Sequence, residues 1–555
     1  MKKTEEKTAE KKPAEKKVTE KKPAEKKPAA KKATEKKAEA KTTAKKPAVK
    51  KTTEKVAEKV AEKVAEKVEE KKAEKTAPVE PEKFYQEMNV NGAVVQAYPL
   101  TAAQRIHFYT VNACHREELL NIGIGFYIQY ADVNFDVMKE CIYDGYQKFD
   151  SMRLRFTFDE NGQMWQYLVP WEDREIKIYD FSFWKEEDAH EEMRRWTRIP
   201  LNRNGGPMNE IALIRLPGDY NGIYMKVHHL TMDSTAIMGF CGYVLQLYCS
   251  KLFENVEPPT LPRHYLDQLV LDLKYEQNSP AYQKDREFWL EQLNQPEPIY
   301  TPFSAHNRLE DMRAYMQNPD LRATYPTGDV EAAIKVYNLE DEPSRRIAAF
   351  SREHHVPVAV MLLMALRTVF SKFSGNNPDV SVKNAVARRG TLLETKSGGT
   401  RIHFFPLRTI IPPETTFMDA LKIIQTKENA LLRHANYDSI RYMGEVGEHY
   451  KIPQGMTYEC TTLTYQPVNA AALKGRDIPK MNYKSEWYSN GVAMQHVYVT
   501  VMHRPTDDGL SFHFEYQKNE VQEDELEKLY YYMCRTLFKG MEDPNITVGE
   551  ILDWI

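Results

Sequence analysis

Hydrophobic and polar positions in the first half of the body of the chain predict a mixture of strands and helices. Apolar residues that alternate with polar ones, or that follow one another over a few positions, are typical of strands. Apolar residues spaced three and four positions apart indicate helices. The predicted strands cover residues 124–130, 154–158, 164–169, 211–216 and 223–228. The predicted helices cover residues 134–149 and 234–252, and a charged helical connector covers residues 267–289.

The second half repeats this plan in outline. Its predicted strands cover residues 330–339, 380–386, 402–411, 494–503 and 510–516. Its predicted helices cover residues 342–354, 358–373, 417–432 and 523–540. Prolines cluster in residues 295–302, and such a cluster indicates a boundary between the halves. We therefore predict an α+β fold of two α/β sandwich lobes, residues 84–295 and 296–555, rather than one parallel sheet.

Residues 1–83 form a tail of different composition. Residues 1–80 contain 27 Lys and 16 Glu, a net charge of +11, while the whole chain carries −3, so residues 81–555 carry −14. A tail with recurrent proline and no large apolar groups cannot offset its ordering entropy, and we predict disorder with a marginal helix over residues 54–69. The tail is either a solvated spacer or an electrostatic tether for an acidic partner. Nucleic acid is a disfavoured partner because no aromatic side chain is present to stack on bases.

The cysteines and the apolar runs bear on the location of the protein. Six scattered cysteines without a CxxC pair indicate reduced thiols and a cytoplasmic protein. Residues 1–5 lack the apolar core of a signal peptide. No apolar run reaches about eighteen residues, the length that crosses a bilayer. We expect a soluble, cytoplasmic protein without a membrane span.

Chemically useful residues concentrate in residues 225–234, Met-Lys-Val-His-His-Leu-Thr-Met-Asp-Ser, at the end of a predicted strand. His228 and His229 are consecutive on that strand, so only one of them can point into a given cleft. A neutral imidazole at the end of a rigid strand is a suitable general base. Asp233 precedes a predicted helix, where a carboxylate caps N–H groups or pairs with a cation. A purely structural, hydrogen-bonded histidine pair is the alternative interpretation.

Two other kinds of catalytic site are not supported by the sequence. Two adjacent strand histidines cannot chelate one ion, and the chain has no HExxH metal motif. It also lacks the Gly-x-Ser-x-Gly elbow of serine hydrolases. We therefore expect neither a metal site nor a serine triad.

Residues 228–234 resemble the HHxxxDG signature of the condensation domains of nonribosomal peptide synthetases, which belong to the chloramphenicol acetyltransferase-like acyltransferase superfamily. Further segments resemble the family in the same order over nearly all of residues 95–555. They are residues 98–104 (“PLSxxQ” in the family), 150–158 (“RHExLRTxF”), 265–289 (“YxDY…DxxFW”) and 399–408 (“GxFxNxxPLR”). The resemblance implies two acetyltransferase-like lobes in a V shape, with a channel between them.

The resemblance also implies roles for the motif residues. His229 would be the catalytic residue in the channel, where it would remove or position the proton of the acceptor, and His228 would pack. Asp233 would pair with an arginine rather than act in catalysis, and Arg155 is the best matching candidate. Backbone N–H groups at the start of the following helix could help to stabilise the oxyanion.

The implied reaction is attack of an amine or hydroxyl of a small-molecule acceptor on an acyl thioester. The pantetheine arm of an acyl or peptidyl carrier protein, or coenzyme A, would carry the acyl group, with no bound cofactor and no metal. The chain contains no adenylation domain and no carrier attachment site, so donor and acceptor would come on separate molecules. We predict a free-standing condensation-like acyltransferase of nonribosomal peptide synthesis and secondary metabolism that forms an amide or an ester.

Three positions depart from the family pattern. Ser234 stands where the motif has glycine, and a serine is strained there if the position needs a positive φ. Asp150 replaces the first arginine of its segment, and His403 replaces an asparagine and becomes a candidate channel residue. The departures motivate an alternative prediction, a catalytically lapsed condensation-like module that binds or docks a partner.

Overall fold

The computed structural model describes residues 84–170, 174–303, 308–326, 329–467, 482–504, 507 and 509–555. The predictions of disorder in the tail and of a helix over residues 54–69 lie outside these described residues.

Helices and strands alternate through the described part of the chain. The α-helices are α1 (Ala102–Cys114), α2 (Phe135–Lys148), α3 (Glu186–Thr197), α4 (Ser234–Leu252), α5 (Tyr265–Glu276), α6 (Pro280–Gln292), α7 (Arg308–Met316), α8 (Asp341–His354), α9 (Val358–Phe373), α10 (Leu392–Lys396), α11 (Phe417–Arg433), α12 (Ser439–Tyr450), α13 (Glu523–Glu542) and α14 (Val548–Trp554). The strands are β1 (Gln86–Val90), β2 (Ala93–Pro99), β3 (Asn121–Gln129), β4 (Leu154–Phe158), β5 (Met164–Leu168), β6 (Lys177–Asp180), β7 (Asn209–Leu216), β8 (Tyr220–His228), β9 (Ala332–Asn338), β10 (Asp379–Val386), β11 (His403–Ile410), β12 (Thr461–Gln466), β13 (Tyr483–Tyr488), β14 (Val497–His503) and β15 (Leu510–Gln517).

The strands form three sheets within the described residues. We call the part built on the sheet β13-β3-β8-β7-β6 the first lobe, and the part built on the sheet β11-β10-β12-β14-β15-β9 the second lobe. In the first lobe, α2 and α4 pack on one face of the sheet and α3 packs on the other. A small sheet, β1-β2-β5-β4, lies in the same half of the chain.

The second lobe is organised around α9. Every residue from Val360 to Ser371 in this helix is buried, because it packs between its sheet and neighbouring helices. One face of the sheet contributes Val497, Val499 and Val501 to this core, together with Phe512 and Phe514. The opposite face of the same strands is left to line a cavity.

Strand β8 is the element that positions the histidine pair. It is held between β3 and β7, with Tyr220 opposite Gln129 and His228 opposite Asn121. Pairing on both sides over nearly its whole length gives β8 a fixed register, which is strongly specified in a buried sheet. The predicted strand, hairpin partner and following helix around residues 223–252 are therefore all present.

Strand β13 joins the two halves of the chain. Its residues come late in the sequence, but it pairs antiparallel with β3 at the edge of the first-lobe sheet, with Tyr488 opposite Gly123. The hydroxyl of Tyr488 lies 2.7 Å from that of Tyr127. By sequence β13 belongs to the second half of the chain, but by pairing it belongs to the first-lobe sheet. The predicted lobe boundaries stay a prediction.

The connector predicted as one charged helix over residues 267–289 is two helices, α5 and α6. The break has a local cause, because Asn278 adopts a left-handed conformation with φ of 66°. Ser279 then caps the N-terminus of α6, and Pro280 occupies its first turn. Proline fits there because the first helical N–H has no partner within the helix.

Among the described residues, no single helix is long and apolar enough to cross a bilayer. Helices α8 and α9 meet the criteria of length and composition only when taken together, across a bend of 111°. The apolar surface of α9 is buried in the core of the second lobe.

Candidate active site

His228, at the end of β8, and His229, which follows it, lie in different surroundings. The backbone N–H of His228 donates to the carbonyl of Met208 (2.9 Å), and that of His229 donates to Leu120 (2.7 Å). His228 is fully buried, and its Nδ1 atom accepts from the N–H of Leu230 (3.2 Å). His229 is only partly buried and lines the large cavity. The structure thus places His228 in the core and His229 at the cavity wall.

The cavity has a volume of about 1670 Å³ and is lined by both lobes. The first lobe contributes α1, the start of β3 and the residues after β8. The second lobe contributes α12 and one face of each of β11, β14 and β15. The cavity is larger than the roughly 300–1,000 Å³ of an ordinary ligand pocket, but its walls are mostly apolar with a few polar groups, as in ligand sites.

His229 is in contact with a second histidine that sequence reasoning missed. Its ring stacks on that of His107 in α1, with the centroids 3.9 Å apart and 27° between the planes. The Oγ1 atom of Thr400 lies 3.4 Å from Nδ1 of His229 and 3.4 Å from Nε2 of His107. One hydroxyl from the second half of the chain therefore lies close to both imidazole rings.

Burial keeps this histidine cluster neutral. It lowers the pKa of His229, although the negative charge of Asp233 acts in the opposite direction. Burial also holds the pKa of His107 well below its ordinary value, and a charge on His229 would lower it further. Because the ordinary value is close to 6.5, both rings are neutral at pH 7 and can accept a proton.

Asp233 braces the site. Its Oδ1 atom accepts from the N–H of Ala236 and so caps α4 (3.0 Å). The same oxygen pairs with Nη2 of Arg389 at 2.7 Å, and Oδ2 accepts from the backbone N–H of Arg401 (2.9 Å). Each of these three contacts holds a neighbouring segment in place, and the structural role expected for Asp233 stays a prediction.

The prediction that Arg155 pairs with Asp233 is wrong, because Arg389 makes that pair. Arg155 lies on β4 in the small sheet, where its Nη1 atom donates to the carbonyl of Leu154 (3.0 Å). Arg389 is 156 residues from Asp233 in sequence. It reaches the carboxylate because the segment between β10 and β11 folds onto the start of α4.

Two consecutive glycines allow this segment to approach so closely. Gly398 and Gly399 have φ values of 72° and 77°, a region that glycine enters without strain. A Cβ atom on Gly398 would lie 2.5 Å from Oγ of Ser151, and one on Gly399 would lie 2.5 Å from the ring of Tyr265. The carbonyl of Gly399 also accepts from Arg389 (2.9 Å). The turn places Thr400 beside His107 and His229.

Each departure from the family pattern has a defined place in the structure. Ser234 is the first residue of α4 and lines the cavity; it is not among the residues with positive φ, so serine causes no backbone strain. Asp150 accepts from the N–H of Tyr265 (3.1 Å) at the start of α5 and pairs with Arg153 (2.7 Å).

His403 was expected as a candidate channel residue, and this expectation is wrong. The side chain is fully buried, while its strand neighbours Phe404 and Pro406 line the cavity. Side chains alternate along a strand, so His403 faces away from the cavity with its Nε2 atom 3.2 Å from Nη1 of Arg388. Burial, reinforced by the Arg388 charge, holds its pKa well below the ordinary value.

A sequence model of the condensation domain matches residues 94–552. The chain belongs to the condensation-domain family. Its curated relatives include surfactin synthase subunit 1 of Bacillus subtilis (strain 168), 21% identical over 460 residues, and bacitracin synthase 3 of Bacillus licheniformis, 20% identical over 456 residues. Each alignment covers 82% of this chain but only 12% and 7% of those proteins.

Solved condensation domains share the fold. The first condensation domain of the calcium-dependent antibiotic synthetase, in complex with a substrate analogue, has a TM-score of 0.66 at 19% identity, over 82% of this chain and 98% of its own. A variant of the starter condensation domain of rhizomide synthetase, in complex with C8-CoA, has a TM-score of 0.67 at 17% identity, over 82% and 96% of the two chains. The predicted α+β fold of two acetyltransferase-like lobes is confirmed.

Proposed function

We propose that this condensation domain is an active acyltransferase that forms an amide or an ester from an acyl thioester. The observation that carries the proposal is a partly buried, neutral imidazole, His229, on the wall of a cavity between two lobes of the acyltransferase fold. In the reaction, the amine or hydroxyl of the acceptor attacks the thioester carbonyl. A C–N or C–O bond forms, the C–S bond breaks, and the thiol leaves.

His229 would take the proton that the acceptor loses. Its Nδ1 atom is next to the hydroxyl of Thr400, so we assign the proton transfer to Nε2. The proton would then pass from His229 to the thiolate, so no net proton is gained or lost. A positioned base of this kind accelerates a reaction by about 10²–10⁴-fold. The N–H groups of Ser234 and Thr235, at the start of α4, would stabilise the oxyanion.

The donor would be carried on a pantetheine arm, supplied by an acyl or peptidyl carrier protein or by coenzyme A. Two observations support this donor class: the family of the chain, and the C8-CoA complex of the rhizomide synthetase domain. We further propose a small-molecule acceptor and a reaction that proceeds without a metal. A reducing, cytoplasmic location is part of the proposal, and the six cysteines are all unpaired.

The proposal favours activity over a lapsed binding module. Serine at position 234 fits its helical backbone, and Asp150 has a structural role, so neither departure removes a group that the reaction needs. The contact of His229 with Thr400 and the cap that Asp233 forms on α4 support the proposal.

The test is His229→Ala with octanoyl-coenzyme A as donor and a panel of amines and alcohols as acceptors. Thiol release and acylated product should fall at least about 10²-fold. His449→Ala removes an exposed histidine near the end of α12 and is the matched control; it should retain wild-type rates. Wild-type protein that acylates no acceptor from any thioester would favour the lapsed module.

A further inference from the structure

The cavity wall contributed by the second lobe contains a row of aligned side chains. Lys383 on β10 is opposite Thr462 on β12, which is opposite Tyr498 on β14. Tyr498 is opposite Glu515 on β15, which is opposite Ile334 on β9. Directly opposed residues point to the same face of a sheet, and four members of the row line the cavity: Lys383, Tyr498, Glu515 and Ile334.

Glu515 is the one acidic member of this row. It is partly buried in the wall, flanked by an aromatic and an aliphatic side chain. Within the part of the chain that the structure describes, no cation forms an ion pair with it, and the next lysine of the row is three strands away. At about 4.8 Å per strand, that separation is about 14 Å between backbones.

The polar groups beside Glu515 have partners of their own. The hydroxyl of Tyr498 lies 2.9 Å from Oγ1 of Thr464. Nε2 of His513, two residues before Glu515, lies 3.0 Å from Oγ of Ser511. Burial lowers the pKa of His513 to about 4, so its ring is neutral at pH 7 and provides no positive charge.

A carboxylate in this position is incompletely stabilised. Burial alone raises the pKa of Glu515 to about 7, which shows that the wall desolvates the ion without compensating it. A buried charge is stabilised when it is paired with an opposite charge. A ligand with a cationic group would supply that pair from inside the cavity.

We propose that Glu515 forms a subsite for a positively charged group, an ammonium or guanidinium, on the substrate that enters this cavity. The inference rests on the proposed acyl transfer, because the cation would lie on the part of the acceptor or donor that does not react. Glu515 would then be a specificity-determining residue. It favours a substrate with a distal cation over a neutral one of equal length, while His229 performs the proton transfer.

The test compares three probes of equal length: 1,6-diaminohexane, 6-amino-1-hexanol and 1,6-hexanediol, with two, one and no positive charges. Binding to the full chain is measured by calorimetry, and acyl transfer from octanoyl-coenzyme A is measured with the diamine and the amino alcohol. The wild type should bind the amino alcohol at least about tenfold more tightly than the diol, and should acylate the diamine with a correspondingly higher kcat/KM than the amino alcohol. Glu515→Gln preserves the shape of the side chain and should abolish both preferences.

Glu448→Gln is the control, because Glu448 also lines the cavity but is exposed. It should leave both preferences intact. A wild type that binds charged and neutral probes equally, or a Glu515→Gln variant that keeps the preference, overturns the inference. Glu515-dependent binding without any acylated product would support the subsite and contradict the acyl transfer. Acyl transfer without a charge preference would support the acyl transfer and contradict the subsite.

Discussion

Removal of Arg389 should destabilise the protein, because it leaves Asp233 buried without its cation. The side chains of Arg389 and Asp233 are 6% and 3% exposed, and their charged atoms are 2.7 Å apart. Breaking a buried ion pair by removing one partner costs about 3–5 kcal/mol. We expect Arg389→Ala to cost about 3 kcal/mol, at the lower end, because Asp233 keeps the N–H donors of Ala236 and Arg401.

The assay is urea unfolding of the wild type, Arg389→Ala, Asp233→Asn and the double variant. The double-mutant cycle should give a coupling free energy of about 1–3 kcal/mol between the two residues, because they are in direct contact. Arg345→Ala is the control: it removes an exposed helical pair with Asp341 and should change the free energy of unfolding by less than about 0.5 kcal/mol. An Arg389→Ala variant within about 0.5 kcal/mol of the wild type would refute the reasoning.

The remaining predictions concern the base and the glycine turn. Burial places the pKa of His229 below its ordinary value, and only the neutral ring accepts a proton. The kcat/KM should therefore be flat near pH 7 and fall as the pH drops through a value below about 6.5. A pH–rate profile with an acid limb centred above pH 7 would contradict this prediction. Gly399→Ala should reduce both stability and acyl transfer, because its Cβ would meet the ring of Tyr265. Gly92→Ala is its matched control, because Gly92 also has a positive φ, 85°, but has open space around it. This variant should lose only the backbone strain, about 1 kcal/mol, from the free energy of unfolding. Equal losses of stability in the two variants would contradict the close approach of Gly399 to Tyr265.

The parts of the site that were predictable depend on local sequence. The strand that ends at His228, the loop after it and the helix that Asp233 caps follow one another within residues 220–252, and both periodicity and capping report on such neighbours. The separation of the two histidines by strand alternation has the same origin.

The parts that were missed depend on contacts between distant segments. Arg389 and Thr400 reach the motif from a segment without helical or strand periodicity, whose path is set by two glycines of positive φ. His107 carried a weak signal, since it lies on α1 next to a capping box formed by Thr101 and Gln104. Its contact with His229 exists only in the folded chain.

Among the elements that were missed, α3 and β13 were missed for reasons of composition. Helix α3 is strongly charged, and its buried face rests on few positions, among them Ala189 and Met193, four residues apart. Strand β13 contains Lys484, Ser485 and Glu486 in succession. It is an edge strand of the first-lobe sheet, and edge strands are often polar.

The central claim is that His229 is the base for acyl transfer from a thioester. The most direct measurement is acceptor-dependent thiol release from octanoyl-coenzyme A, with an amine acceptor present, by the wild type and by His229→Ala, each with and without added imidazole. We predict that the variant loses at least about 10²-fold in rate. Imidazole, which has the size of the ring that the substitution removes, should restore part of that rate without affecting the wild type. Equal rates for the two proteins, or a loss that imidazole leaves unchanged while the fold is intact, would contradict the claim.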